Sequence, residues 1–145
     1  MIQRERNRKV KNEMVFPILI GFFLLGYSET WGAEWKYYGQ TQTASYFCDV
    51  ESIIRQENIG RVWVKAVYSE KGRLDEGRKL GGKYWNLTDS IALLGIDCKN
   101  KRQRVLALIV YSMEGKAVIS DIRERELGFI VPESIFENLY KTVCK

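Results

Sequence analysis

The chain contains no histidine among its 145 residues, and this absence excludes the most common proton-transfer chemistry of enzymes. Ser-His-Asp and Cys-His sites need an imidazole, and helical zinc-protease sites need a pair of them. Carboxylate chemistry would need two acids in one cleft; the scattered acidic residues could supply such a pair, but nothing in the sequence shows that two of them converge, and solvated or turn-forming carboxylates explain them better. The candidates are Asp49, Asp75, Asp89, Asp97 and Asp121. We therefore expect a protein that is not an enzyme and that needs no cofactor or metal ion.

The chain also lacks an apolar run long enough to cross a membrane. The longest run, residues 15–27, covers about 20 Å as a helix, against about 30 Å for the hydrocarbon core of a bilayer. Basic residues precede this run and small residues follow it, which together indicate a secretory signal peptide. The basic residues are Arg4, Arg6, Arg8, Lys9 and Lys11. We expect cleavage after Ala33 or, alternatively, after Ser28, and an uncleaved N-terminal anchor is the remaining alternative.

No cysteine stands directly behind the apolar run, so we do not expect a lipid anchor there. The predicted location is the periplasm, the extracellular space or the cell surface. Export leaves residues 34–145 as a single domain of common size without a transmembrane span. Five of the 23 basic residues belong to the predicted signal peptide, and the modest positive charge that remains does not indicate a nucleic-acid partner.

Three cysteines follow the predicted signal peptide, namely Cys48, Cys98 and Cys144. An odd number in an exported protein predicts one disulfide and one free thiol, and three pairings are possible. Cys144 lies at the end of a predicted C-terminal helix, where a bridge would prevent fraying. Cys48 lies within a predicted strand, and both a buried apolar role and a reactive or intermolecular thiol are open at this point.

The spacing of apolar residues predicts an antiparallel sheet followed by one helix. Residues 61–68 alternate as in a half-buried strand, with Trp63 on the more polar side. The other predicted strands are 35–39, 45–50, 90–98, 105–111, 117–122 and 128–131. Residues 69–83 form a polar connection, which we expect to be mobile or functional. Ser134 and Glu137 form a capping box that begins a C-terminal helix with one apolar face.

Two groups of side chains are candidate binding residues. A basic cluster at the predicted turn after residue 98 would suit a polyanion such as an acidic polysaccharide or a lipid headgroup, and a solvated turn explains it equally. It consists of Lys99, Lys101, Arg102 and Arg104. An aromatic group would form an exposed recognition patch or, alternatively, pack within the sheet. It consists of Trp35, Tyr37, Tyr38 and Trp63, with Tyr46 beside them.

Short motifs along the predicted mature chain resemble the surface-adhesin protein E-like family of exported bacterial proteins. In chain order, they are Trp35-Lys36-Tyr37-Tyr38, Asp49 with Ser52-Ile53, Arg61-Val62-Trp63-Val64-Lys65, Asp97-Cys98, Tyr111 with Gly115, Pro132-Glu133-Ser134 and Val143-Cys144. None of these motifs is a catalytic signature. The resemblance lies in their order, which covers nearly all of residues 34–145.

The resemblance implies an α+β fold, in which an antiparallel sheet of about six strands carries a C-terminal α-helix tied back by a disulfide between Cys98 and Cys144. Cys48 would then be a free thiol, and the family pattern does not lead us to expect a cysteine there. The founding adhesin is a surface lipoprotein that binds host matrix and plasma proteins. This chain departs from it in lacking the cysteine for lipid attachment.

These observations favour a non-enzymatic, adhesin-like binding module. Its predicted partner is a protein or polysaccharide of the cell envelope or of the space outside the cell. The alternative is a structural or assembly protein of the periplasm or outer surface, which would act through a protein partner or as a homodimer paired at an edge strand.

Overall fold

The structure is a computed structural model that describes residues 32–81 and 85–145. Nearly all of the predicted signal peptide, including the alternative cleavage position after Ser28, lies outside the described residues. Residues Ala33–Lys145 form one compact unit. Among the described residues, no helix combines the length and the apolar character needed to cross a membrane.

Eight strands and two α-helices make up the described unit. The strands are β1 (Trp35–Gln40), β2 (Ala44–Asp49), β3 (Ile54–Gln56), β4 (Ile59–Tyr68), β5 (Leu87–Asp97), β6 (Arg102–Ser112), β7 (Ala117–Asp121) and β8 (Arg125–Phe129). The helices are α1 (Glu70–Lys79) and α2 (Ile135–Val143), and a short 3-10 turn covers Val50–Ser52. The predicted α+β class is therefore confirmed.

All eight strands belong to one antiparallel sheet. Six of them follow the order β1-β2-β4-β5-β6-β7, while β3 pairs with the first half of β4 and β8 with the first half of β6. The long strands β4, β5 and β6 form its centre. Hairpin turns connect β1 with β2, β3 with β4, β5 with β6 and β6 with β7, whereas α1 lies between β4 and β5. The sheet of about six strands that the resemblance implies is thus extended by two short strands of three and five residues.

The two faces of the sheet differ because side chains alternate along each strand. Residues paired directly across antiparallel strands lie on the same face, so the row Val62, Leu94 and Val105 shares one face. Both α-helices lie on this side, which we call the helix face. There α2 packs over Gly60, and Glu76 of α1 lies near enough to the phenol of Tyr68 to contribute to a raised pKa, whose main cause is burial.

The hydrophobic core fills the space between the helix face and α2. Its buried members are Tyr38, Cys48, Val62, Val64, Leu94, Ile96, Ile130, Leu139 and Val143. Helix α2 begins at a Ser134 cap, whose hydroxyl accepts a hydrogen bond from the Glu137 amide, and the Glu137 carboxylate accepts one from the Glu133 amide. The helix start at the Ser134 cap and the apolar helix face predicted from the sequence are both confirmed. The reciprocal hydrogen bond of the capping box is shifted by one residue, to the Glu133 amide.

The disulfide joins Cys98, directly after β5, to Cys144, the C-cap of α2. Beside it, the Tyr140 hydroxyl donates a hydrogen bond of 2.9 Å to the Cys98 carbonyl. The bridge and this hydrogen bond hold the last turn of α2 to the end of a central strand. The pairing implied by the resemblance is confirmed, and Cys48 is the free cysteine.

The polar connection predicted at residues 69–83 contains helix α1 over residues 70–79, so the prediction of a single helix in the chain was wrong. The hydroxyl of Ser69 caps α1 by accepting a hydrogen bond from the Gly72 amide. A Cβ at position 72 would lie 1.9 Å from the Thr43 carbonyl oxygen, so only glycine permits this close approach. Residues 82–84 lie outside the described part of the chain.

Candidate binding face

The second face of the sheet carries no helix of the described residues, and we call it the open face. Register places Phe47, Lys65, Ile91 and Ile109 in one row of this face, and Trp63, Leu93 and Ala107 in the next. The apolar members of both rows are partly exposed to solvent. They are Phe47, Trp63, Ile91, Leu93, Ala107 and Ile109, and together they form an apolar surface across the central strands.

One ion pair crosses this apolar surface. The ammonium group of Lys65 lies 3.5 Å from a carboxylate oxygen of Asp89 on the neighbouring strand. Both side chains are partly shielded, with 33% of Lys65 and 17% of Asp89 exposed. The two charged groups neutralise each other and interrupt the apolar surface. The apolar side chains around the pair stay accessible to solvent.

The predicted aromatic patch is divided between the two faces. Tyr37 lies on the open face, half exposed, with its ring 5.7 Å from that of Phe47 in an edge-to-face arrangement. Strand register places Trp35 and Trp63 on the open face as well. Tyr38 does not belong to the patch, because it directly follows Tyr37 and alternation along β1 turns its side chain to the core, beside Tyr46.

The predicted basic cluster does not form one continuous cationic surface. Arg102 pairs with Glu126 and stacks 4.7 Å above the Phe129 ring. Arg104 donates a hydrogen bond of 2.6 Å to a Glu124 carboxylate oxygen. Lys101 extends over the ring of Tyr140 in α2, and Lys99 lies exposed in the turn. Only the two arginines lie on the open face, since register pairs them with Asp97 and Gly95.

A shallow pocket of about 190 Å³ lies at one end of the open face. It is lined by Ile59, Arg61, Gly95, Arg104, Leu106 and Glu124. Arg61 belongs to one of the motifs that resemble the adhesin family, and the sequence alone does not predict it as a binding residue. The strand register places it across Gly95 from Arg104.

The free thiol of Cys48 is enclosed in the core and has no exposed surface. Burial raises the pKa of this thiol above its ordinary value, so at neutral pH it is protonated and behaves as a small apolar side chain. The structure therefore favours the buried role for Cys48 over a reactive one. Among residues 32–81 and 85–145, no three cysteine and carboxylate side chains converge as metal ligands.

A family model described as surface-adhesin protein E matches residues 35–145. The chain belongs to this family. No curated protein matches its sequence. Membership of the adhesin E family implies an exported or surface location and a role in binding an external partner, and it favours a non-enzymatic protein.

Sequence reasoning missed most of the open face. Phe47, Leu93 and Ile109 were assigned to strands, but their apolar character indicated burial. Their exposure follows from the placement of both helices on the opposite side, which alternation within a single strand does not reveal. The one available signal was the position of Trp63 on the more polar side of β4, and the structure confirms it.

Proposed function

We propose that this member of the adhesin E family is a non-enzymatic exported module that binds a macromolecule of the cell envelope or extracellular space through its open face. The observation that carries the proposal is the apolar surface formed by side chains such as Trp63 and Leu93, which remains solvent-accessible although the same strands bury their opposite side. Contiguous exposed apolar surface of this kind is typical of interaction sites.

A second candidate is a structural or assembly role through a protein partner or a homodimer. The apolar character of the open face supports it, because two such faces would cover one another. The two candidates differ in stoichiometry. A monomer that is retained on envelope or matrix material supports the binding module, whereas a stable dimer or a stoichiometric envelope partner supports assembly.

The test compares the retention of the full chain on native envelope and extracellular material with that of two matched pairs of variants. Leu93→Lys places a charge on the open face, and Leu74→Lys places the same charge on α1, where the leucine is 40% exposed. Trp63→Ala removes a ring from the open face, and Trp85→Ala removes a ring that packs at Gly77 of α1. Thermal unfolding of each variant verifies that it is folded.

We expect Leu93→Lys and Trp63→Ala to lower retention about tenfold or more, as truncation of a central interface residue does. Leu74→Lys and Trp85→Ala should retain the wild-type level. If all four variants are retained equally, or if only the α1 pair loses retention, the open face is not the binding surface. Size-exclusion chromatography of the same samples decides between the monomeric and the dimeric candidate.

A further inference from the structure

The pocket at the end of the open face contains two arginines separated by one strand. Arg61 on β4 and Arg104 on β6 are each paired with Gly95 on β5. Because neighbouring strands lie about 4.8 Å apart, the two arginine backbones are about 10 Å from each other. Gly95 contributes no side chain, and the stem of Arg104 and the side chain of Leu106 lie over it, so the trough between the two arginines is shallow. We call this trough, with its two arginines, the arginine notch.

Gly95 sets the depth of the arginine notch. A Cβ at this position would lie 3.1 Å from Cγ and 3.5 Å from Cδ of Arg104. The stem of Arg104 therefore lies low over Gly95, toward the side of Arg61. A glycine inside a long central strand often marks such a close approach of another group, and here that group is the arginine itself.

The two guanidinium groups keep hydrogen-bonding capacity for a ligand. One terminal nitrogen of Arg104 donates a hydrogen bond of 2.6 Å to Glu124, which orients the guanidinium group. The other N–H donors of the guanidinium take no part in this hydrogen bond. Arg61 is exposed and forms no ion pair with the described residues. Arginine donors in this fork geometry match the two oxygens of a carboxylate.

The charge around the arginine notch is nearly balanced. Glu124 pairs with Arg104 and Glu126 pairs with the neighbouring Arg102, so that of these three arginines Arg61 alone has no acidic partner within the described ranges. Asp97 of β5 adds a further negative charge near Arg104. Attraction to an anionic bilayer depends on a cluster of uncompensated cations, which this surface does not have. Recognition here depends instead on directed hydrogen bonds to a single acidic group.

We propose that the arginine notch binds the acidic groups of a polysaccharide that lies across the open face. This inference rests on the proposed function and names its ligand class. Trp63 lies two residues from Arg61 on the same face of β4 and is partly exposed, so its ring is placed to stack on a sugar next to the acidic one. Aromatic rings offer an electron-rich face for such contacts.

The test measures binding of the full chain to immobilised polygalacturonate, with neutral dextran as the matched polymer. We expect binding to polygalacturonate but not to dextran. Arg61→Gln and Arg104→Gln should each weaken it about tenfold, the loss of one charge-assisted hydrogen-bonding group. Arg55→Gln is the charge-matched control, because Arg55 is exposed and pairs with Gly60, on the helix face of the sheet. It should bind as the wild type does.

Gly95→Ala tests the geometry without changing the charge. The added methyl would displace the Arg104 stem, so binding should weaken although both guanidinium groups remain. Poly-L-glutamate tests the sugar requirement, because it carries carboxylates without rings. It should bind more weakly than polygalacturonate, and Trp63→Ala should remove that difference.

Several results would overturn the assignment. One is an equal loss of binding in the Arg55→Gln control. Another is wild-type binding by both single variants, Gly95→Ala and Arg61→Gln. A third is binding to poly-L-glutamate that is as strong as binding to polygalacturonate. Notch-dependent binding to phosphatidylglycerol vesicles in place of polygalacturonate would also contradict it, by showing a lipid source for the anion. The two proposals can fail separately. If only this inference is wrong, the protein will not bind polygalacturonate, but its retention on native material will still depend on Leu93 and Trp63.

Discussion

At the scale of single residues, Gly60 shows how closely the sheet and α2 approach each other. A Cβ added to Gly60 would lie 2.3 Å from Cγ1 of Val143, which is itself buried. We predict that Gly60→Ala lowers the free energy of unfolding by about 1–3 kcal/mol, the usual result of overpacking. Urea unfolding with the disulfide kept intact measures the change in the free energy of unfolding.

The control for this prediction is a double-mutant cycle. Val143→Ala removes the methyl group that a Cβ at position 60 would strike, so the double variant should lose less stability than the sum of the two single variants. Strict additivity would show that Gly60 and Val143 are not in contact, and the described packing of α2 on β4 would then be wrong.

A second prediction at this scale concerns Asp121, at the end of β7. Hydrogen bonds from the side chain and backbone of Arg123, with the charge of Arg125 nearby, lower the pKa of its carboxyl to about 2. In the unfolded chain the pKa of this group is about 4. The lowered folded value means that the ion pair stabilises the fold above the unfolded pKa and that this stabilisation is lost as the pH falls through about 2.

The measurement is an NMR titration of the Asp121 carboxyl in wild type and in Arg123→Gln. We expect the midpoint near 2 in the wild type and a shift toward the ordinary aspartate value in the variant. Arg78→Gln, whose partner is Asp75 in α1, is the matched control and should leave the Asp121 midpoint unchanged. An Asp121 midpoint near 4 in the wild type would contradict the described ion pair.

At the scale of elements, the disulfide connects α2 to the end of β5 and closes a loop across a separation of 46 residues. Closing a loop of this length in the unfolded chain contributes about 4 kcal/mol to stability in the chain-entropy description. We predict that Cys98→Ala with Cys144→Ala loses about this much, measured by urea unfolding. Circular dichroism should show fraying of the last turn of α2.

Reductant provides the control for the disulfide prediction. It should destabilise the wild type by a similar amount and leave the double alanine variant unchanged. In the intact wild-type protein, alkylation followed by mass measurement should label Cys48 only after unfolding, because its thiol has no exposed surface. Labelling of Cys48 in the folded protein, or a dimer linked through it, would contradict the buried assignment.

The same scale shows which elements could be predicted from the sequence. Alternation in β4 and the capping box of α2 are local signals, and both predicted their elements correctly. Helix α1 carries no apolar stripe and includes Gly72 and Gly77, so its sequence is typical of a loop. It is stabilised by the local Ser69 cap and by a backbone approach to Thr43, a contact that exists only after the sheet has formed.

The candidate site could be predicted only in fragments. Strand β5 is apolar on both sides, with Leu93 and Leu94 adjacent, and this pattern normally indicates a strand covered on both faces. Which side stays open depends on where the helices pack, a tertiary property. Tyr38 directly follows Tyr37 in β1, so alternation alone places the two rings on opposite faces; this signal is in the sequence, and the predicted aromatic patch did not use it.

At the scale of the whole molecule, the described unit is a sheet with one covered and one open side. The covered side holds the core, both helices and the disulfide. The open side combines partly exposed apolar residues, the half-exposed Tyr37 and the arginine notch. A stable scaffold that presents one accessible surface suits a protein whose role is to bind, and it agrees with membership of the adhesin E family.

The central claim, that the open face is the binding surface, is tested most directly by methyl NMR of the Ile-, Leu- and Val-labelled protein, recorded with and without the solubilised native fraction that retains it. Neighbouring residues serve as internal controls, because they alternate between faces. We predict that the methyl signals of Ile91, Leu93 and Ile109 change on binding while those of Leu94 and Ile96 do not. Changes confined to Leu94, Ile96 and the residues of α2, with Ile91, Leu93 and Ile109 unaffected, would contradict the account.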